Sequence, residues 1–286
     1  MNEQGYLNLL QKILDDGVSK DDRTGIGTYS LFGEQLKFNL DGQFPLLTTK
    51  RVYWKGVAKE LLWFIKGSTN SNELEDEGVR IWSGNTTREF LDNRGLSNYD
   101  IGDIGPMYGF QWRHFNAEYN GCKNNYTGKG IDQLNNIIQE IKENPNSRRL
   151  LMTAFNPSAV DESVLMPCHV LVQFNVTNGF LNCHMTQRSM DTFLGESFNI
   201  ASYALLTYMI AHVTDLKPGT LIISGGDVHI YKNHIEQVKE QLSRKPYNFP
   251  TLVFNRKVDS IDDFKFEDFE ICDYKFHPTI KAPMAI

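Results

Sequence analysis

The run from Ile200 to Val213 constrains this chain more than any other stretch. It is apolar almost all round, interrupted by Ser202, Thr207 and His212. A helix with no polar face must sit inside, covered on more than one side. The run is also shorter than the ~20 residues needed to cross a bilayer. It therefore reads as the central helix of a soluble globular fold. The 286 residues are enough to bury such a helix without covalent staples.

What surrounds it alternates in period. Tyr6, Leu9, Leu10, Ile13 and Leu14 recur at helical spacing until Asp15-Asp16-Gly17, and Val57 to Ile65 predicts a helix ending at Gly67. Ile131, Leu134, Ile137, Ile138 and Ile141 make a third stripe, stopped near Asn144-Pro145. Leu150 to Phe155, His169 to Val176 and Phe180 to Gln187 are short β-prone runs, the last two joined by an Asn178-Gly179 hairpin turn. Leu221 to Ser224 predicts a strand, Gly225-Gly226 a turn and Tyr231 to Leu242 a helix. Thr86 to Asp103 and Asn116 to Gly130 lack periodicity and read as surface loops. Helices and strands mix without regular alternation and no linker divides them, so the expectation is one α+β domain over 1–286.

Charge and cysteine usage exclude some functions. Lys plus Arg is 29 against 35 Asp plus Glu, a net charge of −6. That is a poor basis for tracking a nucleic-acid backbone, so nucleic-acid binding is not expected. An anionic ligand would need a local arginine cluster. Cys122, Cys168, Cys183 and Cys272 form no CxxC pair, which suggests reduced thiols and no zinc site. The N-terminal residues carry no signal-peptide pattern, so a cytoplasmic location and no membrane association are expected.

Several short motifs could carry chemistry. Cys168, in Met166-Pro167-Cys168-His169, is either a nucleophile with His169 as its base or a small core thiol. Arg188, in Gln187-Arg188-Ser189, could hold a phosphate and lower a neighbouring thiol's pKa, or simply pair with Asp191. Arg148-Arg149 reads as a phosphate clamp or as solvated charge. Asp22-Arg23-Thr24-Gly25 is a glycine-rich arginine turn, but neither a P-loop nor a dinucleotide fingerprint. Glu60 opens an apolar helix, where burial would raise its pKa into a range useful for proton transfer. His229 and Tyr231 alternate along an extended segment and could face one site, or His229 could be structural.

Taken in order, these motifs with Glu60-Leu61-Leu62-Trp63-Phe64, Gly105-Pro106-Met107-Tyr108-Gly109, Phe198-Asn199-Ile200-Ala201-Ser202-Tyr203 and Asp227-Val228-His229-Ile230-Tyr231 resemble the folate-dependent thymidylate synthase family. The likeness runs from about Tyr6 to Ile286, and the loop stretches are similar to the longer eukaryotic-type or viral forms. The resemblance implies a homodimer built on a mixed β-sheet at the dimer interface. It implies methylation of dUMP to dTMP with 5,10-methylenetetrahydrofolate as consumed cosubstrate, and no metal. Cys168 then matches the nucleophile. Glu60, Tyr108 and Asp191 match proton-transfer and folate-site groups. Arg23, Arg188 and Ser189 match phosphate ligands, and Arg148 and Arg149 the pair donated across the interface. Asn199 matches the reader of the uracil edge, and His229 and Tyr231 the pair on the sugar hydroxyl. Ile81, Trp82, Asn85, Asp191, Leu194, Gly195, Phe198 and Ile286 match the folate side.

The chain departs from the family pattern at Ser83 (Asp expected), Phe155 (Trp), Met166 (Pro or Ala), Met185-Thr186 (a Leu-Tyr-like pair) and Glu196-Ser197 (Val-Pro or Leu-Pro). Glu196 places a charge near the expected folate side. A dUMP hydroxymethylase using the same thiol and folate is the alternative activity, and a non-catalytic RNA-binding relative the alternative class. Asn199 favours uracil over cytosine, because an amide both donates and accepts.

Overall fold

The computed structural model describes residues 3–283. In chain order its elements are α1 (Gln4–Asp16), β1 (Val18–Lys20), β2 (Thr28–Asn39), α2 (Trp54–Ile65), α3 (Asn72–Asp76), α4 (Arg88–Asn93), α5 (Gly109–His114) and α6 (Gln133–Glu143). They continue with β3 (Leu151–Thr153), β4 (His169–Thr177), β5 (Phe180–Asp191), α7 (Glu196–Val213), β6 (Lys217–Tyr231), α8 (Ile235–Leu242), β7 (Thr251–Phe254) and β8 (Phe269–Cys272). Six strands form one sheet in the order β1-β2-β6-β5-β4-β3, and β7 and β8 form a separate ribbon. Only β5 and β6 run parallel within the large sheet, so it is mixed. The α+β expectation holds.

The apolar run is the middle of this arrangement. Ile200, Ala201, Leu205, Leu206, Met209 and Ile210 of α7 are fully buried. The helix lies on β5 and β6, with α2 against it as well. Leu181, Cys183 and Met185 of β5 and Leu221 and Ile223 of β6 are the buried alternate residues of those strands. Cys183 reaches Thr207 of α7, and burial pushes its thiol up to about 12. The helix begins four residues earlier than the apolar run, at Glu196. On the opposite face of the sheet, the alternate residues of β4 and β5 are exposed or half-buried among the described residues. Leu171 pairs with Thr186, and Leu151 and His184 flank Gln173 in register. Leu151 and Leu171 are exposed there.

The Asn178-Gly179 hairpin forms as expected, with both residues at positive φ (52° and 78°), the geometry a tight I′ turn requires. Three sequence expectations need correction. Gly225-Gly226 is not a turn but the interior of β6, where Gly225 pairs with Glu34 on one side and Gln187 on the other. A side chain at Gly225 would meet Val228 and Met190 carbons at 2.5 and 2.8 Å. The glycine is there for close packing, not for reversal. Tyr231 ends that strand, and the following helix starts only at Ile235. The stretch from Thr86 to Asp103 contains α4, capped by the Thr87 side chain accepting from Phe90 N–H. The long strand β2 gave no signal strong enough to assign in advance. No helix among the described residues is long and apolar enough to cross a membrane.

Gly225→Val should overpack this junction and cost about 1–3 kcal/mol of stability, read as a lower denaturant midpoint. An unchanged midpoint would mean that β6 and β5 are not held this tightly.

Candidate active site

The parallel pairing of β5 with β6 sets the site. It aligns Ser189 with Asp227 and Asp191 with His229, while β2 aligns Thr28 with Tyr231. A cleft of about 730 Å³ opens at this end of the sheet. It is lined by Arg23, Cys168, Arg188, Ser189, His229 and Tyr231, six residues singled out from sequence, together with Lys20, Phe90, Arg94 and Asp227. The last four were not anticipated. Phe90 and Arg94 fell in the stretch without periodicity, and Asp227 was read only as part of a motif.

Arg188 organises the loop that carries Cys168. Its Nε donates to Pro167 O at 2.8 Å, one terminal nitrogen donates to Met166 O at 2.6 Å, and that nitrogen stands 3.9 Å from Cys168 Sγ. The Arg188 backbone N–H also donates to Cys168 O at 2.8 Å. Arg188 makes no ion pair with Asp191, so the surface-pair reading is set aside. Met166 serves through its carbonyl, which explains why Met can stand in a Pro or Ala position.

Tyr108 closes the other side of the thiol. Its hydroxyl accepts from Cys168 N–H at 2.9 Å, which leaves its own proton free to face sulfur. Tyr108 sits at φ 44° just before α5, a costly backbone angle for a non-glycine residue, and its ring stacks on His169 at 4.1 Å. The expected lowered thiol pKa is not what the free cleft has. Burial pushes Cys168 above its ordinary value, and the Arg188 charge and the Tyr108 hydroxyl offset only part of that rise. The thiol is therefore held neutral beside two groups that stabilise it once charged. His169 is not its base: burial lowers the imidazole to about 3, and Nδ1 lies 2.7 Å from Tyr203 OH.

A buried carboxyl adjoins Tyr108. Trp82 Nε1 donates to Glu60 Oε1 at 2.9 Å, and the Trp82 ring lies 6.0 Å from that of Tyr108. Burial raises Glu60 to about 7, against the Trp82 bond that lowers it. A carboxyl poised there can take or give a proton near neutrality. Ile81 is partly buried beside Trp82, and Asn85 closes the short 3-10 turn that starts at Ser83. Ser83 Oγ donates to Glu75 at 2.6 Å, so the Ser-for-Asp departure avoids two facing carboxylates. Nothing in the structure explains Phe155.

The far end of the cleft is equally built. Asp227 Oδ1 lies 3.0 Å from His229 Nδ1 and accepts from Ser30 Oγ at 2.8 Å, while Oδ2 takes Lys20 Nζ at 3.1 Å. The Tyr231 ring stands edge-on to His229 at 5.3 Å. Asp22 accepts from Thr24 N–H and Oγ1 and from Gly27 N–H, shaping the turn that carries exposed Arg23. Asp191 Oδ1 accepts from Phe193 and Leu194 N–H at 3.2 Å, bending the chain into α7. Leu194, Gly195, Phe198 and Asn199 follow on that bend, all partly exposed. Arg148 and Arg149 are exposed ahead of β3 and do not line the cleft. Ile286 lies outside the described residues.

A thiol between an arginine and a phenol, a titratable carboxyl and an arginine-lined anion end suit nucleophilic addition to an anionic substrate. Comparison with known proteins decides which. A sequence profile described as thymidylate synthase matches residues 4–286. The chain belongs to the thymidylate synthase family. It is 58% identical to the human thymidylate synthase over 284 residues, covering 99% of this chain and 91% of that one. Thymidylate synthases of equine herpesvirus 2 and herpesvirus ateles are 55% and 56% identical, each over 99% of this chain and 98% of theirs. As in the sequence reading, the likeness spans eukaryotic and viral thymidylate synthases, and these relatives give the hydroxymethylase alternative no support.

Arg188→Ala should shift the alkylation midpoint of Cys168 to higher pH, because the guanidinium is the larger of the two groups pulling its pKa down. Iodoacetamide rates followed by mass spectrometry would show it. A midpoint unchanged or lowered would mean that Arg188 does not act on the thiol.

Proposed function

We propose that this cleft methylates dUMP to dTMP with 5,10-methylenetetrahydrofolate, through a covalent adduct of Cys168 at C6 of the uracil. The observation that carries this reading is the Arg188 fork, which ties the nucleophile loop and the sulfur to the anion end of one cleft. Arg188, Arg23 and Ser189 hold the phosphate, and His229 and Tyr231 hold the sugar hydroxyl. Asn199 accepts from uracil N3–H and donates to O4. The phosphate anchor fixes C6 against sulfur, so attack becomes an intramolecular event.

The Cys168 thiol loses its proton to solvent in the open cleft, and the thiolate donates its lone pair to C6 as the C5–C6 π electrons move toward C5 and O4. Arg188 and the Tyr108 O–H stabilise the thiolate that forms and later leaves. Asn199 supports the charge on O4. Glu60, near pKa 7, takes the proton that C5 must lose, relayed beside Tyr108. We assign the cosubstrate to the side that carries buried Trp82 and partly buried Ile81, Leu194 and Phe198, with Asp191. Once bound, methylenetetrahydrofolate supplies the one-carbon unit and the hydride, and leaves as dihydrofolate. The family resemblance adds Gly195, Asn85 and Ile286 to that side.

The reading also places a second copy of the chain on the opposite sheet face, with residues 1–286 acting as one domain in the cytoplasm. Arg148 and Arg149 of each copy complete the partner's phosphate site. The exposed Leu151 and Leu171 support this, since apolar side chains on an open sheet face favour a covering partner.

Mixing inactive subunits tests both claims. Cys168→Ala should bind dUMP yet have no turnover, and the Arg148→Ala, Arg149→Ala double variant should also be nearly inactive. Refolded together in equal amounts they should recover about a quarter of wild-type activity, from one repaired site in each mixed dimer. No recovery would refute the shared site, and turnover by Cys168→Ala would refute the mechanism.

A further inference from the structure

The two stretches without periodicity in the sequence, 86–103 and 116–130, meet on one buried carboxyl. Asp103 is 1% exposed. Its Oδ1 accepts from Gly105 N–H at 2.8 Å and from the Tyr119 hydroxyl at 2.5 Å, and its Oδ2 accepts from Cys122 N–H at 3.0 Å. Thr69 Oγ1 lies 2.7 Å from the same Tyr119 oxygen, and Thr69 O accepts from Ile104 N–H at 3.0 Å. The Tyr119 ring stands edge-on to Phe110 of α5 at 5.1 Å and stacks on Tyr126 at 5.7 Å. Burial raises the Asp103 pKa, and the bonds from Tyr119, Gly105 and Cys122 oppose that rise.

Two series of contacts lead from this carboxyl to the thiol. The first follows the backbone. Asp103 holds Gly105 N–H, Met107 N–H donates to Gly105 O at 2.8 Å, and Tyr108 comes next at φ 44°. The Tyr108 hydroxyl then accepts from Cys168 N–H at 2.9 Å. The second crosses to the loop before Cys168. Val164 N–H donates to Ile104 O at 3.1 Å, and Val164, Leu165 and Met166 line the cleft on the way to Cys168. The two segments touch closely: a Cβ at Gly105 would stand 2.1 Å from Glu162 O. A strained angle such as that of Tyr108 persists only where its surroundings over-determine it. Asp103 fixes the entry to that strained segment and, through Ile104, ties it to the Cys168 loop.

We propose that Asp103 is a positioning residue for the thiol chemistry: braced by Tyr119 and Cys122, it holds the 104–108 segment so that the Tyr108 hydroxyl stays on Cys168.

The proposal deepens the reading of Cys168 as nucleophile and rests on it. Besides burial, which raises the Cys168 pKa, Arg188 and Tyr108 lower it and Asp191 raises it. Loosening the 104–108 segment withdraws the Tyr108 contribution alone, while Arg188 keeps its own bonds to the loop. The thiol then becomes harder to ionise, and the nucleotide still has its phosphate anchor. The expected mark is a lower kcat and a higher thiol midpoint with little change in KM for dUMP. A smaller folded fraction would lower turnover but would not move the midpoint.

The test measures kcat and KM with dUMP and methylenetetrahydrofolate, and the pH midpoint of iodoacetamide alkylation at Cys168 by mass spectrometry. The proteins are full-length wild type, D103A, D103N, Y119F, Y108F and the Y108F/Y119F double variant. D103A should lose about tenfold in kcat, the size of one buried hydrogen bond, and alkylate with a midpoint at higher pH. Its KM for dUMP should stay within about twofold of wild type, since uniform binding is untouched. D103N should stay within about threefold of wild type in kcat, because its amide oxygen still accepts from Gly105 and Tyr119. Y119F keeps the aromatic ring and loses one hydroxyl. It should show the D103A pattern, and it decides the matter if D103A does not fold. With Tyr108 already replaced there is no hydroxyl to misplace, so Y108F/Y119F should share the Y108F midpoint. The proposal is overturned if Y119F keeps the wild-type kcat and midpoint, if D103N falls as far as D103A, or if Y119F shifts the midpoint equally in the Y108F background. Alkylation needs no nucleotide. A wild type inert toward dUMP would therefore overturn the nucleotide reading and leave the midpoints to decide on Asp103.

Discussion

The Arg188 guanidinium is the contact on which the rest of the site depends. It leaves β5, spans the mouth of the loop before β4 and donates to Pro167 O and Met166 O while lying beside Cys168 Sγ. Hydrogen bonds from a charged group to carbonyls are strong and directional. They hold Cys168 at the edge of a cleft whose other wall is β6. In the proposed reading, an arginine that shapes the loop, influences the sulfur and lines the cleft links phosphate binding to thiol position. That coupling would let a chain of net charge −6 receive a phosphate: the positive charge is local and already oriented.

The central helix makes this possible from behind. With α7 pinned under β5 and β6, the register of those strands is fixed, because a one-residue slip would turn Leu181, Cys183 and Met185 away from the core. The same register brings Ser189 to Asp227 and Asp191 to His229. The core and the site are thus two faces of one set of pairings. The cleft end is also where the fold carries its local costs: Tyr108 at positive φ, a buried Glu60 and a buried Glu196.

Strong periodicity was legible in advance. The stripes of α1 and α6 and the apolar run of α7 showed plainly because each pattern repeats over several turns. The Gly225-Gly226 pair misled, because the same lack of a side chain serves a turn and a close strand contact, and only the neighbours Met190 and Val228 tell them apart. The strand β2 was invisible for a related reason: Gly33, Glu34 and Gln35 interrupt its alternation. At the site, residue types predicted which side chains share the cleft, as with Cys168, Arg188 and the His229-Tyr231 pair. Environment was harder. The thiol's raised pKa and the imidazole of His169 at about 3 follow from burial, which no local motif encodes. Arg94 and Phe90 reach the cleft only because a short helix formed where no period was visible.

The most direct test of the account follows both products in one reaction of wild-type protein with dUMP and methylenetetrahydrofolate. The account predicts dihydrofolate formed in equal amount with a nucleotide of dTMP mass. A hydroxymethyl product without dihydrofolate, or no consumption of dUMP at all, would contradict it.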